Sequence, residues 1–419
     1  MRRAALGLAL LLVFGALEAR AEPTGQALRG LEAYDEVMTA LLQKWNVPGA
    51  AVAVAHGDKL VLARGYGLAN KERSIPVEPT SLFRLASLSK TVTAVAVLQL
   101  VQAGKLQLDD RVLAVLGDLG PRPDRITDPR VRAITVRHLL QHTGGWDRDR
   151  SGDAVFMPNA AEAVRRQNGP LPPDCPTVLR DALERKLDFT PGEAFGYSNL
   201  GYCILGRIVE RAAGTPYEAY VREHILGPIG APRMRIGRTL QAAEGEVTYY
   251  DYPGAKEGRT MPGLGLKAAP QPYGSFAVET MDSYGGWIGA PVDYLRFILA
   301  IEGRRGAALL DARTAAEMNS NGGVKPISPD AEGYNTNGTF YGLGINVRPL
   351  RQGANLFHFG SLPGTSTLAV RTADGFAWVV ATNSRPQDRK GFRSELDRAL
   401  WVAKGKIKTW PEGNLFDSR

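Results

Sequence analysis

The chain has 419 residues, is 44% hydrophobic and 22% charged, and carries a formal charge of +8. That balance excludes a disordered or fibrous chain and leaves room for one large domain or two. The basic residues are scattered, with no run of the kind that tracks phosphates, so nucleic acid is not an expected partner.

The first residues read as a targeting segment. Met1-Arg2-Arg3 is basic, Ala4 to Leu17 is apolar, and Ala19-Arg20-Ala21 is a small-x-small cleavage site. The expectation is a signal peptide over 1–21, a mature chain from Glu22, and a periplasmic or secreted protein. Fourteen apolar residues are short for a membrane span, and no later stretch reads as one, so no stable membrane insertion is expected. Next, GAAVAVAHGDKLVLARGYGLAN (49–70) has two apolar runs around His56-Gly57-Asp58 and predicts a hairpin. A buried helix follows Ser87 and ends at Gly104. From about Asp110 to Thr280 the signals are helices and long loops. They include PTVLRDALERKL, NLGYCILGRIVERAAG, and a helix opened by a Thr215-Pro216-Tyr217-Glu218 capping box. Residues 252–274 read as a long irregular connection. A helix over APVDYLRFILAIEG precedes several short β-branched strands, the last two joined at Asp374-Gly375. Strands at both ends and helices between predict an α/β (α+β) fold. An antiparallel sheet from both chain ends would be flanked by helices, with a mostly helical inserted subdomain. The expected units are 22–110 with 281–405, the inserted 111–280, and a tail at 406–419. Cys175 and Cys203 fit either a disulfide in an oxidising compartment or, for Cys203, packing as a small hydrophobe.

Three motifs carry chemistry. In FRLASLSK (83–90), Ser87 and Lys90 are three residues apart and share a helix face. Burial disfavours a charged amine, so Lys90 can act as a base on the Ser87 hydroxyl. The spacing alone also fits an N-cap serine and a lysine that snorkels outward. Tyr197-Ser198-Asn199, at a helix mouth, offers a phenol for proton relay and an amide for the lysine or a substrate carbonyl. A packed tyrosine and a helix cap fit the same residues. His358-Phe359-Gly360 lies on a strand; Gly360 permits close approach of a ligand, and Ser361 offers an N–H to an oxyanion. A half-buried edge strand is the plainer alternative. His142-Thr143-Gly144-Gly145 reads as a structural turn. Trp146, Tyr284 and Trp287 fit either an acyl pocket or the core. The five histidines lack metal spacing, so no metal or cofactor is expected.

These motifs, with ITVRHLLQHTGGW, YGLGINV and HFGSLPGTST, resemble the serine β-lactamase and penicillin-binding superfamily, in particular its class C β-lactamase-related branch, over about residues 30 to 400. The resemblance implies a β-lactamase/transpeptidase-like fold and acyl-serine chemistry without a cofactor. It makes Ser87 the nucleophile, Lys90 the base, and Tyr197 the proton relay to the leaving group. It places Asn199, His358, Gly360 and Ser361 on the substrate, with His358 on the wall opposite Ser87 and the N–H groups of Ser87 and Ser361 as the oxyanion hole. The implied partner is a small ester, amide or peptide; the oligomeric state is open. Where β-lactamases of this branch carry lysine-threonine-glycine, this chain has His358-Phe359-Gly360. That change favours neutral esters over anionic substrates. The expected function is therefore hydrolysis of small esters or amides. D-alanyl-D-alanine carboxypeptidase or D-aminopeptidase activity and β-lactamase activity are the alternatives among enzymes, and a catalytically silent penicillin-binding-type sensor is the alternative outside them.

Overall fold

A computed structural model describes residues 22–323 and 338–417. The expected signal peptide, residues 1–21, lies outside the described residues. The chain folds as the mixed α/β architecture that its strand and helix signals predict. A nine-stranded antiparallel sheet is drawn from residues 24–76 and 340–382. Its order is 24–27, 59–70, 49–56, 376–382, 365–371, 354–362, 346–349 and 340–341, with Ile75–Pro76 paired to the 59–70 strand. The two chain ends join at its centre, where Phe376 lies opposite His56 and Thr382 opposite Ala50.

The hairpin sequence explains its packing. Along Gly49–His56, Val52 and Val54 point to one face, with Tyr34, Met38, Trp378 and Leu396, under the helices Glu32–Trp45 and Arg389–Lys406. Ala53 and Ala55 point to the other face, where small side chains let helix Pro291–Ala300 pack directly on the sheet. Helix Ser89–Gln102 is apolar nearly all round and is buried almost throughout, packed against helix Asn199–Ala213. Gly104 (φ +69°) and Gly214 (φ +70°) end these two helices in the left-handed conformation that glycine adopts without penalty.

Local readings differ from the structure in three places. Residues 252–274, read as an irregular connection, carry the paired strands Gly258–Arg259 and Ala268–Ala269 and the short helix Gln271–Gly274. The Thr215 capping box does not form: Pro216 takes the N-cap position, and the Tyr217 N–H donates to Glu210 Oε1 at 3.1 Å. Glu218 instead accepts from the Ile236 N–H at 3.0 Å, so each acid serves a neighbouring element. Helix Cys175–Leu183 also stops before ERKL, because the Leu187 N–H is drawn to Asp128 Oδ2 at 3.0 Å. The tail beyond Lys406 packs back on the sheet, with the Leu415 N–H donating to the Leu60 carbonyl at 2.8 Å.

Cys175 and Cys203 form a disulfide, with their Cα atoms 5.8 Å apart. It ties helix Cys175–Leu183 to helix Asn199–Ala213, whose first residue is a candidate site residue. With the cysteines separated by 28 positions in sequence, loop-closure entropy alone gives about 3.5 kcal/mol. Reduction is expected to lower the thermal midpoint by several degrees, read by circular dichroism with and without a reductant.

Candidate active site

Ser87 sits where a strand becomes a helix. The short strand Phe83–Arg84 pairs with Trp287–Gly289. Ala86 then adopts φ +50°, an uncommon conformation for a residue with a side chain, and a single 3₁₀ turn, Ala86–Leu88, precedes helix Ser89–Gln102. The turn is pinned from several sides. The Leu85 N–H donates to the Trp287 carbonyl at 2.8 Å, Thr367 Oγ1 donates to the Leu85 carbonyl at 2.9 Å, and Tyr294 donates to the Leu88 carbonyl at 3.0 Å. A sharp turn so held presents Ser87 to a cleft of about 660 Å³.

Lys90 is the second residue of that helix, one turn after Ser87, and is fully buried. Its Nζ is 3.3 Å from Ser87 Oγ, 2.6 Å from Asn199 Oδ1 and 2.7 Å from the Tyr284 carbonyl. Burial pulls its ammonium below the ordinary lysine range, with Tyr197 and Asp153 opposing that shift. Tyr197 donates to Ser87 Oγ at 2.8 Å, and the Arg148 guanidinium lies 4.6 Å above the Tyr197 ring. The Tyr197-Ser198-Asn199 segment is fixed at both ends. Ser198 caps the following helix by accepting from the Gly201 N–H, and its own N–H donates to His142 Nδ1 at 3.1 Å. Burial holds His142 neutral, and the turn that carries it (φ +59°) supports the motif from behind.

The structure thus brings Ser87, Lys90, Tyr197 and Asn199 together, although 110 residues separate Ser87 from Tyr197. The third motif is placed differently from the expectation. His358 does not line the cleft. It is 2% exposed, its Nε2 meets the Tyr341 hydroxyl at 2.8 Å and its Nδ1 the Phe359 carbonyl at 2.8 Å. Burial holds its pKa down to about 3, so it is neutral. Phe359 and Ser361 line the cleft, whereas His358 is turned to Tyr341 and Gly360 to the Leu85–Ala86 turn. Gly360 is needed for a neighbour other than a ligand. A Cβ there would stand 2.5 Å from the Leu85 carbonyl oxygen and 3.1 Å from the Ala86 Cβ, so its absence lets the turn that carries Ser87 rest on the strand. Of the three aromatic candidates, Tyr284 lines the cleft. Trp287 is in the core, donating to the Tyr217 hydroxyl at 3.0 Å, and Trp146 borders a smaller side pocket behind Tyr197.

Several cleft residues were not legible in the sequence. Asp153 accepts from Asn199 Nδ2 at 2.6 Å, and burial raises its pKa. Phe156, Met157, Phe276 and Met281 give the cleft apolar surface; Arg148, Arg385, Arg389, Lys390 and Arg393 give it positive charge. Arg385 is half-buried, and its Nη1 lies 3.5 Å from Ser361 Oγ. In sequence, DRDRSGD (147–153) and SRPQDRKGFR (384–393) read as ordinary solvated charge, since nothing local marks the side that faces the cleft. Among the described residues, no group of three His, Cys, Asp or Glu side chains is placed to hold a metal ion. No helix among them is long and apolar enough to cross a membrane.

A hydroxyl in contact with a buried amine and a phenol, on a helix mouth against an antiparallel sheet, is the machinery of a serine hydrolase that works by acyl transfer. Residues 34–400 match the Beta-lactamase family model, and the chain belongs to that family. Among solved structures it is similar to the octameric penicillin-binding protein homologue from Pyrococcus abyssi, with TM-score 0.67 and 25% identity over 90% of this chain and 78% of that one. It is also similar to a D-stereospecific amidohydrolase from Streptomyces sp., with TM-score 0.64 and 25% identity over 87% of this chain and 97% of that one. Among curated proteins, Protein flp of Staphylococcus aureus (strain MW2) is 26% identical over 250 residues, 60% of this chain and 47% of that protein. The chain therefore matches about half the length of that relative.

Proposed function

We propose that this protein is an exported serine hydrolase that cleaves small esters or amides through an acyl-Ser87 intermediate. The carrying observation is the contact of Ser87 Oγ with both Lys90 Nζ at 3.3 Å and the Tyr197 hydroxyl at 2.8 Å, with Lys90 buried and so biased to the neutral amine. Lys90 takes the Ser87 proton as Oγ bonds to the substrate carbonyl carbon. The backbone N–H groups of Ser87 and Ser361 face the developing oxyanion. Tyr197 passes a proton to the leaving group, and water then attacks the acyl carbon by the reverse relay. Export is supported by the basic-apolar-small order of residues 1–21 and by the Cys175–Cys203 bond, which suits an oxidising compartment.

Between esters and amides, the likeness to a D-stereospecific amidohydrolase favours a small amide, including a D-amino-acid amide. A second reading concerns charge. The expected preference for neutral esters rested on His358 and Phe359 as the facing residues. With His358 turned away and Arg385 beside Ser361, the cleft offers a cation to an anionic substrate from another element.

The test is a fluorophosphonate probe followed by kinetics on p-nitrophenyl acetate, a D-amino-acid amide, a D-Ala-D-Ala peptide and a cephalosporin. Labelling of Ser87 is expected, with kcat/KM for the ester or the amide above that for the cephalosporin. No labelling would leave a silent binding protein on this fold. A cephalosporin ranked first would replace the present reading with β-lactamase activity.

A further inference from the structure

Lys90 Nζ contacts Asn199 Oδ1, the Tyr284 carbonyl and Ser87 Oγ. The Tyr197 hydroxyl also pairs with it, but gives its own hydrogen to Ser87 Oγ at 2.8 Å. A neutral amine has two N–H bonds and one lone pair. An amide oxygen and a backbone carbonyl only accept, so they take both N–H bonds, and the lone pair is left facing Ser87. This holds only while Asn199 turns its oxygen toward Lys90. An amide rotated by half a turn would present its NH₂ and capture the lone pair.

We propose, on the serine-hydrolase reading of this site, that Asp153 is a positioning residue that fixes the Asn199 amide and thereby directs the Lys90 lone pair at Ser87. A carboxylate only accepts, so at 2.6 Å from Asn199 Nδ2 it admits one amide orientation. Its other oxygen accepts from the Val155 N–H at 3.3 Å, which steadies the carboxylate on its own loop. Asp153 also lines the cleft, yet its link to the reacting atoms runs through Asn199. The proton path is complete within the chain. Ser87 Oγ–H gives its proton to the Lys90 lone pair, Oγ bonds to the carbonyl carbon, and the ammonium later returns the proton toward the leaving group through Tyr197.

A charge effect accompanies the orienting one. The charged or titratable groups facing Lys90 are Tyr197, Asp153 and Arg148, with His142 and His358 held neutral by burial and the Tyr202 and Tyr284 phenols kept protonated by it. The Asp153 carboxylate favours the Lys90 ammonium. Its removal makes the amine neutral at lower pH, so the acid limb of the acylation profile moves down in pH.

The experiment measures acylation by a fluorophosphonate, from pH 5 to 10, in the wild type, Asp153→Asn, Asn199→Ala and the double variant, together with the titration of ¹³C-labelled Lys90 by NMR. Labelling of the wild type tests the serine-hydrolase reading by itself; the differences between variants test Asp153. In Asp153→Asn, plateau acylation is expected to fall about tenfold with little change in substrate affinity. The acid limb and the Lys90 titration should both move to lower pH. In the Asn199→Ala background the plateau loss should vanish, because the two residues act as one unit. A purely structural Asp153 would lower folded protein without moving either titration. Wild-type plateau acylation in Asp153→Asn, or an equal loss with and without Asn199, overturns the proposal. If Asp153→Asn does not fold, Asp153→Ser is measured in its place.

Discussion

Ser87→Ala is expected to remain folded and to lose all covalent labelling by a fluorophosphonate, with turnover down by roughly 10³- to 10⁶-fold. The fold survives because the Ser87 hydroxyl contributes no core packing: the side chain is half-buried at the cleft, and the turn is pinned by Leu85, Leu88, Thr367 and Tyr294. Turnover collapses because Lys90 and Tyr197 converge on that one oxygen. Intact-protein mass spectrometry after probe treatment reads the result. An adduct on the alanine variant would assign the nucleophile elsewhere.

Lys90→Met is expected to be nearly as damaging, because methionine keeps the length and removes the base. The loss should exceed 10³-fold in kcat/KM for ester and amide alike, since the missing step is common to both. Lys90→Arg should fail as well, because a guanidinium stays protonated and cannot accept the hydroxyl proton. A second readout separates this role from a structural one. The folded pKa of Lys90 is lowered, so in the window between that value and the ordinary lysine value near 10.5 the unfolded chain holds the extra proton. Stability of the wild type therefore rises with pH across that window, and it falls as pH drops through it. Lys90→Met lacks the titrating group. The difference in thermal midpoint, wild type minus variant, should shrink as pH falls from about 10, read by scanning calorimetry. A difference that stays flat with pH would mean that Lys90 is protonated in the folded protein and acts as a fixed charge.

The Ser87–Lys90 contact was legible because both of its causes are local. Three residues on a helix bring Ser87 to Lys90, and the apolar stretch after Lys90 announces that the amine is buried. The Tyr197-Ser198-Asn199 motif was legible for the same reason: it stands at the start of a strongly patterned helix. The hairpin 49–70 and the strands of 354–382 follow from alternation and turn residues, and those strands dictate a sheet closed by the two chain ends.

What lay beyond the sequence was direction and partnership. His358-Phe359-Gly360 identifies a strand, but a strand has two faces, and only its packing against the Leu85–Ala86 turn decides that Phe359 and Ser361 face the cleft. A shift of one residue would have reversed the assignment, so no reading of the motif alone decides it. Asp153 and Arg385 sit in segments whose local composition is that of any solvated loop, and their places follow from contacts across 46 and 24 residues of chain. The Cys175–Cys203 pairing is of the same kind, because spacing alone leaves two cysteines free to bond or to pack separately. Local periodicity determines which elements form and which residues share a face. The amide orientation that aims Lys90, and the Asp153 carboxylate that holds it, come from elements distant in sequence, and only the assembled tertiary structure decides them.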